Sequence, residues 1–413
     1  MRNIHHKKST SEREQKDKVY RVAILNSHPI QYFAPLYSFL NKKNIEIVAL
    51  YCSDYSMRGA VDPGFGREVK WDIDLLQGYT SVFLGAKARH RVPAGFFSLI
   101  CPEVWREVAV GKFDAIILHG HQYAVNVVAF LAAKFYQVPV FVKTDTHLLL
   151  KKVGWRKWIR DRVLKYAYKL VDGFLAIGTE NRRYYKHLGV PEERIFHVPF
   201  AVDNDRFKKQ SQLSEEKKTD IREKYGVKKG RFVVLFASKL VPGKHPELVL
   251  QAIASLNAEG ANCTALLLGS GQMERELREL AKTCGSDGVV FAGFVNQSDL
   301  PGVFSLADVF VLPTDNEAWG LVVNEAMCAG LPVIVSNLAG CVVDLVTEKN
   351  GIVITVDSAA SLTSALRQLI RDDVKRREMG RHSLRIIDDW SYEQCYIGLE
   401  QALRRTNRET LLT

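Results

Sequence analysis

Two carboxylates in one short stretch of this 413-residue chain carry its clearest chemistry. The stretch is Thr314-Asp-Asn-Glu-Ala-Trp-Gly-Leu-Val-Val-Asn-Glu-Ala-Met-Cys-Ala-Gly-Leu-Pro-Val. Val309–Leu312 reads as a strand, so Glu317 lies in the loop that closes it. The apolar periodicity after Gly320 predicts a helix over Leu321–Ala329, ended by Gly330 and Pro332. Glu325 then sits about one turn into that helix. The first N–H groups of a helix have no partner within it. Those of Gly320, Leu321 and Val322 would therefore make a site for a phosphate. Taken singly, Glu317 is a solvated loop acid and Glu325 a helix-surface acid; the frame around them argues otherwise.

Further polar groups collect at other predicted strand ends. Phe232–Phe236 runs into a loop that holds Lys239 and Lys244. Leu266-Leu-Leu-Gly-Ser-Gly brings Gly269 to a point where backbones must approach closely. In the front half, Asn26-Ser-His-Pro-Ile-Gln-Tyr presents His28 and Gln31, Leu118-His-Gly-His presents His119 and His121, and Pro139-Val-Phe-Val-Lys-Thr-Asp-Thr-His presents Asp145 and His147. A metal is not expected, because the His119/His121 pair lacks Asp, Glu or Cys at ligand spacing. The Asp72/Asp74 and Asp203/Asp205 triplets do not follow a hydrophobic strand as a diphosphate–metal site requires, and both read as structural.

The elements that must position these groups alternate. Front-half strands are predicted at Val19–Asn26, Ile45–Tyr51, Asp114–His119, Val138–Lys143 and Gly173–Ile177. Back-half strands are predicted at Arg231–Phe236, Thr264–Leu268, Val289–Ala292, Val309–Leu312 and Pro332–Val335. Helical patterns lie between them, which is the grammar of an α/β protein with parallel sheets. Two doubly wound domains facing each other would share a cleft at their strand C-termini. The expected division is a disordered tail over 1–18, a front domain over 19–207, a polar linker over 208–226, a back domain over 227–388 and a final helix over 389–413 that crosses back to the front domain.

Composition narrows the classes. Hydrophobic residues are 47% and charged ones 25%, the mix of a globular protein. Seven scattered cysteines form no Cys-x-x-Cys pair and suggest a reducing, cytosolic setting. No apolar run reaches the ~18 residues of a spanning helix, and the first 18 residues lack the apolar core of a secretory signal. Up to residue 207 there are 32 Lys and Arg against 20 Asp and Glu, and beyond it 25 against 26. That asymmetry gives the halves different partners. Nucleic acid is not among them, since no Arg-rich tract, zinc finger or aromatic RNA motif accompanies the charge. Lys151 to Lys169 holds eight basic residues and one acid, with Trp155, Ile159, Val163, Tyr166 and Leu170 as an apolar stripe. The stripe packs on the front sheet beneath a solvated basic face, or the helix meets anionic lipid.

The Glu317–Glu325 frame resembles the retaining glycosyltransferases of the GT-B fold, family 4 (glycosyl transferases group 1), whose hallmark is two glutamates separated by seven residues. His-Pro-Ile-Gln-Tyr from His28 and Trp-Asp-x-x-Leu-Leu-x-Gly-Tyr from Trp71 to Tyr79 resemble one subgroup. The resemblance covers roughly residues 20–405 and implies two Rossmann-like domains. It implies transfer of a hexosyl-type unit from a nucleotide diphosphate sugar to an acceptor hydroxyl, with no metal or other cofactor. The acceptor would be lipid-linked or a small molecule, and the setting cytoplasmic or peripheral on the inner membrane face. In family terms Glu317 holds sugar hydroxyls and Glu325 the ribose. Lys239, Lys244 and the helix start at Leu321–Val322 stabilise the departing diphosphate. Gly269, Phe294, Val295, Ala318, Trp319 and Gly320 complete the donor side. His28 and Asp145 join the catalytic set, with Gln31, His119, His121 and His147 on the acceptor side. The chain departs from the pattern at Lys239, usually Arg; at His245, often Gly; and at Asp145, where many relatives have His. A GT-B-fold epimerase and a non-catalytic binding subunit are the alternatives.

Overall fold

The computed structural model describes residues 18–62, 67–85, 93–150, 155–285, 287–356 and 358–410. The expected N-terminal tail, up to residue 17, and Lys151–Gly154 at the start of the basic segment lie outside them, as do the side chains of 155–157. The front half supplies β1 (Tyr20–Asn26), β2 (Ile45–Tyr51), β3 (Ala60–Asp62), β4 (Arg67–Val69), β5 (Thr80–Phe83), β6 (Ala115–His119), β7 (Val140–Lys143), β8 (Gly173–Ala176) and β9 (Ile195–His197). The back half supplies β10 (Phe232–Ala237), β11 (Cys263–Leu268), β12 (Val289–Gly293), β13 (Val309–Leu312), β14 (Val333–Ser336) and β15 (Gly351–Ile354).

The front sheet runs β5-β2-β1-β6-β7-β8-β9 and the back sheet β12-β11-β10-β13-β14-β15, each parallel throughout. In each, strand order reverses at the first strand, so a crevice opens between β1 and β6 and another between β10 and β13. All ten predicted strands are present within about two residues. The additional ones, β5, β9 and β15, are edge strands, and β3–β4 is an isolated antiparallel ribbon. Short edge strands lack the continuous apolar run that covered faces impose on inner strands.

Two expectations are corrected. The stretch expected as a linker, 208–226, is helical: one helix spans Asn204–Ser211 and another Glu215–Tyr225. Ser214 caps the second through a hydrogen bond from the Lys217 N–H, and Gly226 ends it at φ +73°. Ile221 and Tyr225 pack on the back core, and Phe207 is wholly buried in it. A Lys/Ser/Glu-rich composition hid the cap and the apolar anchors. The second correction concerns the basic helix, Trp155–Ala167. Its predicted stripe does not pack on the sheet: Ile159, Val163, Tyr166 and Leu170 are exposed, and Leu164 and Tyr168 hold the segment instead.

The last helix, Tyr392–Thr410, crosses to the front domain. Cys395, Leu399, Ala402 and Leu403 enter the core under β1 and β2. A Cβ on Gly398 would lie 1.7 Å from the His197 carbonyl oxygen, so only glycine allows that approach.

Candidate active site

The back-domain wall of the cleft is assembled at its strand crevice. Lys239 follows β10, Gly269 follows β11, and Glu317 follows β13. Gly269 has φ +126°, and a Cβ there would lie 2.0 Å from the Ser238 carbonyl oxygen. The Lys244 ammonium meets the Glu317 carboxylate at 2.5 Å, both side chains being mostly buried. Behind Lys244, His245 has φ +47° and ψ +47°. This left-handed conformation costs a side chain roughly 1–2 kcal/mol and is one that glycine adopts freely. The imidazole is held through Nδ1, 2.8 Å from Glu247.

The loop carrying Glu317 is tied down from below. The Gly340 N–H donates to the Glu317 carbonyl at 3.1 Å and the Cys341 N–H to Trp319 at 3.2 Å. Gly320, at φ +99°, starts the helix Leu321–Cys328. Trp319 is buried; its indole N–H donates to Asn324 at 3.0 Å and its ring lies 4.9 Å from Trp390. Its side chain thus anchors the loop, although the residue lines the cleft.

Glu325 is buried at the cleft base. Burial pushes its carboxyl up to about 7, against hydrogen bonds with Tyr32 and Gln297 and the charge of Arg206. Burial and the neighbouring Glu325 push the Tyr32 hydroxyl up as well, so it stays protonated and donates across the domain interface. Arg206 donates to the Gln297 carbonyl at 2.9 Å and to its Oε1 at 3.2 Å, fixing that amide.

The cleft encloses about 460 Å³. Its lining includes His28, Gln31, Tyr32 and Asp145 from the front domain, facing Lys239, Gly269, Phe294, Val295, Glu317, Ala318, Gly320, Leu321, Val322 and Glu325. His28 lies between the Ser27 hydroxyl at 2.9 Å and Tyr55 at 3.3 Å. Phe294 meets Trp71 across the interface, ring centroids 5.7 Å apart. A second cavity of about 440 Å³ adjoins the first, sharing Asp145 and Phe200, and holds His119, His121 and Lys143. Burial, then the Lys143 charge, pushes His119 down to about 3, so it is neutral. Burial also lowers Lys143, whose ammonium sits 5.2 Å from the Phe200 ring.

His147 is placed otherwise than expected. Its Nε2–H donates to the Glu317 carbonyl at 2.9 Å, and its Nδ1 accepts from the Leu149 N–H at 3.2 Å. Both nitrogens are spent on backbone, which makes it a strut between domains and leaves no free nitrogen for an acceptor. The two Asp-x-Asp triplets are also committed to structure. Asp72 accepts from the Ser298 N–H at 3.2 Å across the interface, and Asp203 caps the helix Asn204–Ser211.

Residues 77–201 match the glycosyl transferase 4-like domain and residues 217–385 match glycosyl transferases group 1. The fold matches Anabaena HepE, solved in complex with UDP, at TM-score 0.71 and 17% identity over 94% of this chain and 100% of that one. It matches sucrose-phosphate synthase of Thermosynechococcus elongatus at 0.70 and 16%, with the same coverage. The chain is a GT-B-fold glycosyltransferase. Among its relatives is a GDP-mannose-dependent alpha-(1-6)-phosphatidylinositol monomannoside mannosyltransferase of Mycobacterium tuberculosis, 29% identical over 61% of this chain and 67% of that protein. A Corynebacterium glutamicum mannosyltransferase acting on the monoacylated monomannoside is 31% identical over 59% and 65%. A D-inositol 3-phosphate glycosyltransferase of Pseudarthrobacter chlorophenolicus is 27% identical over 68% and 67%. The matched stretches thus span about two thirds of these relatives.

Sequence reasoning overlooked four residues of the transferase that the fold brings to these cavities or directly behind them. Tyr32 closes the His-Pro-Ile-Gln-Tyr run and was legible there. Gln297 and Arg206 lie far apart in sequence and meet only because the helix Asn204–Ser211 packs on the back core. Lys143 ends a strand whose other residues are apolar, a mismatch that marks it.

Proposed function

We propose that the transferase moves a hexosyl-type unit from a nucleotide diphosphate sugar to an acceptor hydroxyl with retained anomeric configuration. The observation that carries this reading is the convergence of Glu317, Lys239, Gly269 and Glu325 on one cleft, opposite His28, Gln31 and Asp145. Glu317 orients sugar hydroxyls, and Glu325, once ionised, accepts from the ribose. Lys239 and Lys244, with the start of the helix Leu321–Cys328, balance the charge that develops on the diphosphate. The sugar–oxygen bond to the diphosphate breaks, and the acceptor oxygen bonds to the anomeric carbon from the same face. The leaving phosphate oxygen takes the acceptor proton. No side chain needs to become a covalent nucleophile, and no metal is required.

The acceptor enters from the second cavity, past Asp145. The relatives' acceptors support a polyol or glycolipid acceptor, and the basic helix supports work at the cytoplasmic membrane face. The test is a transfer assay with a panel of nucleotide diphosphate sugars and polyol or lipid-linked acceptors, the anomer of the product being read by NMR. A product of retained configuration supports the reading; inversion, or epimerisation of the donor without transfer, overturns it.

A further inference from the structure

The two faces of the front sheet differ in what they show to the outside. One is covered by the helices Phe33–Asn41 and Tyr392–Thr410, on which Ile397 is the one exposed large apolar side chain among the described residues. The other is covered by Glu103–Val110, Ala124–Phe135 and Trp155–Ala167, with Thr179–His187 beside them, its Tyr184 and Tyr185 in the same cluster as Leu164. Their inner sides form two adjoining clusters, and Phe130 packs against both. The three helices therefore lie in one layer.

The outside of that layer is apolar to a degree that single exposed residues do not explain. Of 21 exposed large hydrophobics among the described residues, 16 fall between Phe96 and Leu170, so the exposure is concentrated as in an interaction site. One group is centred on Trp105, whose ring lies 5.7 Å from Phe135 and 6.2 Å from Tyr136. Leu131 and Phe135, the latter 69% exposed, continue it along the helix, and Phe97, 72% exposed, lies at the turn before it. The other group is Trp158, Ile159, Val163 and Tyr166 on the basic helix, with Leu170 in the turn that follows it. Exposed cations stand among these rings: Arg162 lies 4.9 Å from the Trp158 centroid and Lys169 5.3 Å from that of Tyr166. Arg106 stands beside Trp105 on the first helix.

We propose that this three-helix layer, and not the basic helix alone, is a docking face for an anionic phospholipid bilayer. Aromatic rings beside lysine and arginine belong at the headgroup level, with apolar tips below and ammonium groups at the phosphates. A protein partner fits less well, because lysine is depleted from the cores of protein interfaces. The second cavity lies at the rim of the face: Gln122 and Tyr123, just ahead of the helix Ala124–Phe135, and Arg160 of the basic helix line it. A lipid-linked acceptor can place its headgroup in that cavity while its chains remain in the bilayer. This last step rests on the transferase reading; the docking face does not.

The experiment is co-sedimentation of the full chain with phosphatidylcholine vesicles and with vesicles enriched in phosphatidylglycerol. Wild type binds the second kind preferentially, and part of that binding persists at high salt, where exposed charges are screened. The exposed pair Leu131→Ser/Phe135→Ser lowers partition at least ~10-fold, and Arg162→Glu/Lys165→Glu removes the preference for anionic lipid. Unchanged partition of the Leu131/Phe135 variant overturns the proposal, as does wild type that sediments with neither vesicle. A concentration-dependent dimer abolished by that variant, with no vesicle binding, assigns the face to a second copy instead. Melting shifts with nucleotide diphosphate sugars, measured on the same proteins, report the donor site independently of the vesicles.

Discussion

Lys244 and Glu317 form an ion pair across the cleft wall, ammonium to carboxylate at 2.5 Å. Each comes from a different strand loop, so the pair couples the loop after β10 to the loop after β13. On the proposed reading, a bound diphosphate would draw the ammonium partly away and free Glu317 to accept from sugar hydroxyls.

From this pair the first prediction follows. Glu317→Ala and Lys244→Ala each lower kcat by ~10²–10³, the range for removing one group aimed at developing charge, while circular dichroism stays native. Steady-state kinetics on both variants measures this. Wild-type turnover in either one removes the assigned roles.

Glu325 predicts a pH dependence. In the unfolded chain a glutamate titrates near ~4.3, whereas burial brings it to about 7 in the fold. Between those values the folded state holds a proton that the unfolded chain has released. Its contribution to stability is therefore undiminished below ~4.3 and falls as pH rises to about 7, by ~3 kcal/mol in order of magnitude. Glu325→Gln flattens that slope in chemical denaturation. Donor binding runs the other way: the ionised carboxylate accepts from ribose, so affinity for the nucleotide sugar rises with pH through about 7 and the Gln variant loses the trend.

Backbone geometry predicts opposite outcomes at neighbouring loops. Gly269→Ala puts a Cβ against the Ser238 carbonyl and weakens nucleotide binding at least ~10-fold, because the loop must move. His245→Gly removes the left-handed cost of roughly 1 kcal/mol and offsets the lost contact to Glu247, so its Tm stays within a few degrees of wild type. His245→Val keeps that cost, adds a β-branched side chain that tolerates positive φ poorly and loses the contact to Glu247, so its Tm falls below wild type. Calorimetric melting ranks the three.

His147 is predicted to act as a positioning group. His147→Ala leaves the Glu317 carbonyl and the Leu149 N–H short of one partner each, which costs ~1–3 kcal/mol. His147→Asn restores part of the Tm. The pH profile of kcat keeps its shape in both variants. A lost acidic or basic limb in that profile would assign His147 a proton-transfer role instead.

The inner strands and the Glu317–Glu325 frame were legible because local pattern fixes them: apolar runs for covered strands, a glycine and an apolar period for the helix start. The edge strands β5, β9 and β15 carry too short a pattern, and the helix Glu215–Tyr225 hid in a polar composition. What eluded sequence altogether was pairing between distant segments. That Tyr32 meets Glu325, or that both nitrogens of His147 are spent on backbone, depends on how the domains face each other. The stripe on Trp155–Ala167 misled for a related reason, since periodicity says which residues share a face but not what the face meets.

Every role proposed above depends on a donor pocket built from the back domain's loops. Its most direct test is calorimetric titration of wild type and the Lys239→Ala/Lys244→Ala double variant with nucleoside diphosphates. Wild type should show one site per chain and the variant binding at least ~10-fold weaker, as expected from lost charge-assisted contacts. Equal affinity in the two proteins, or no nucleotide binding to wild type, would contradict it.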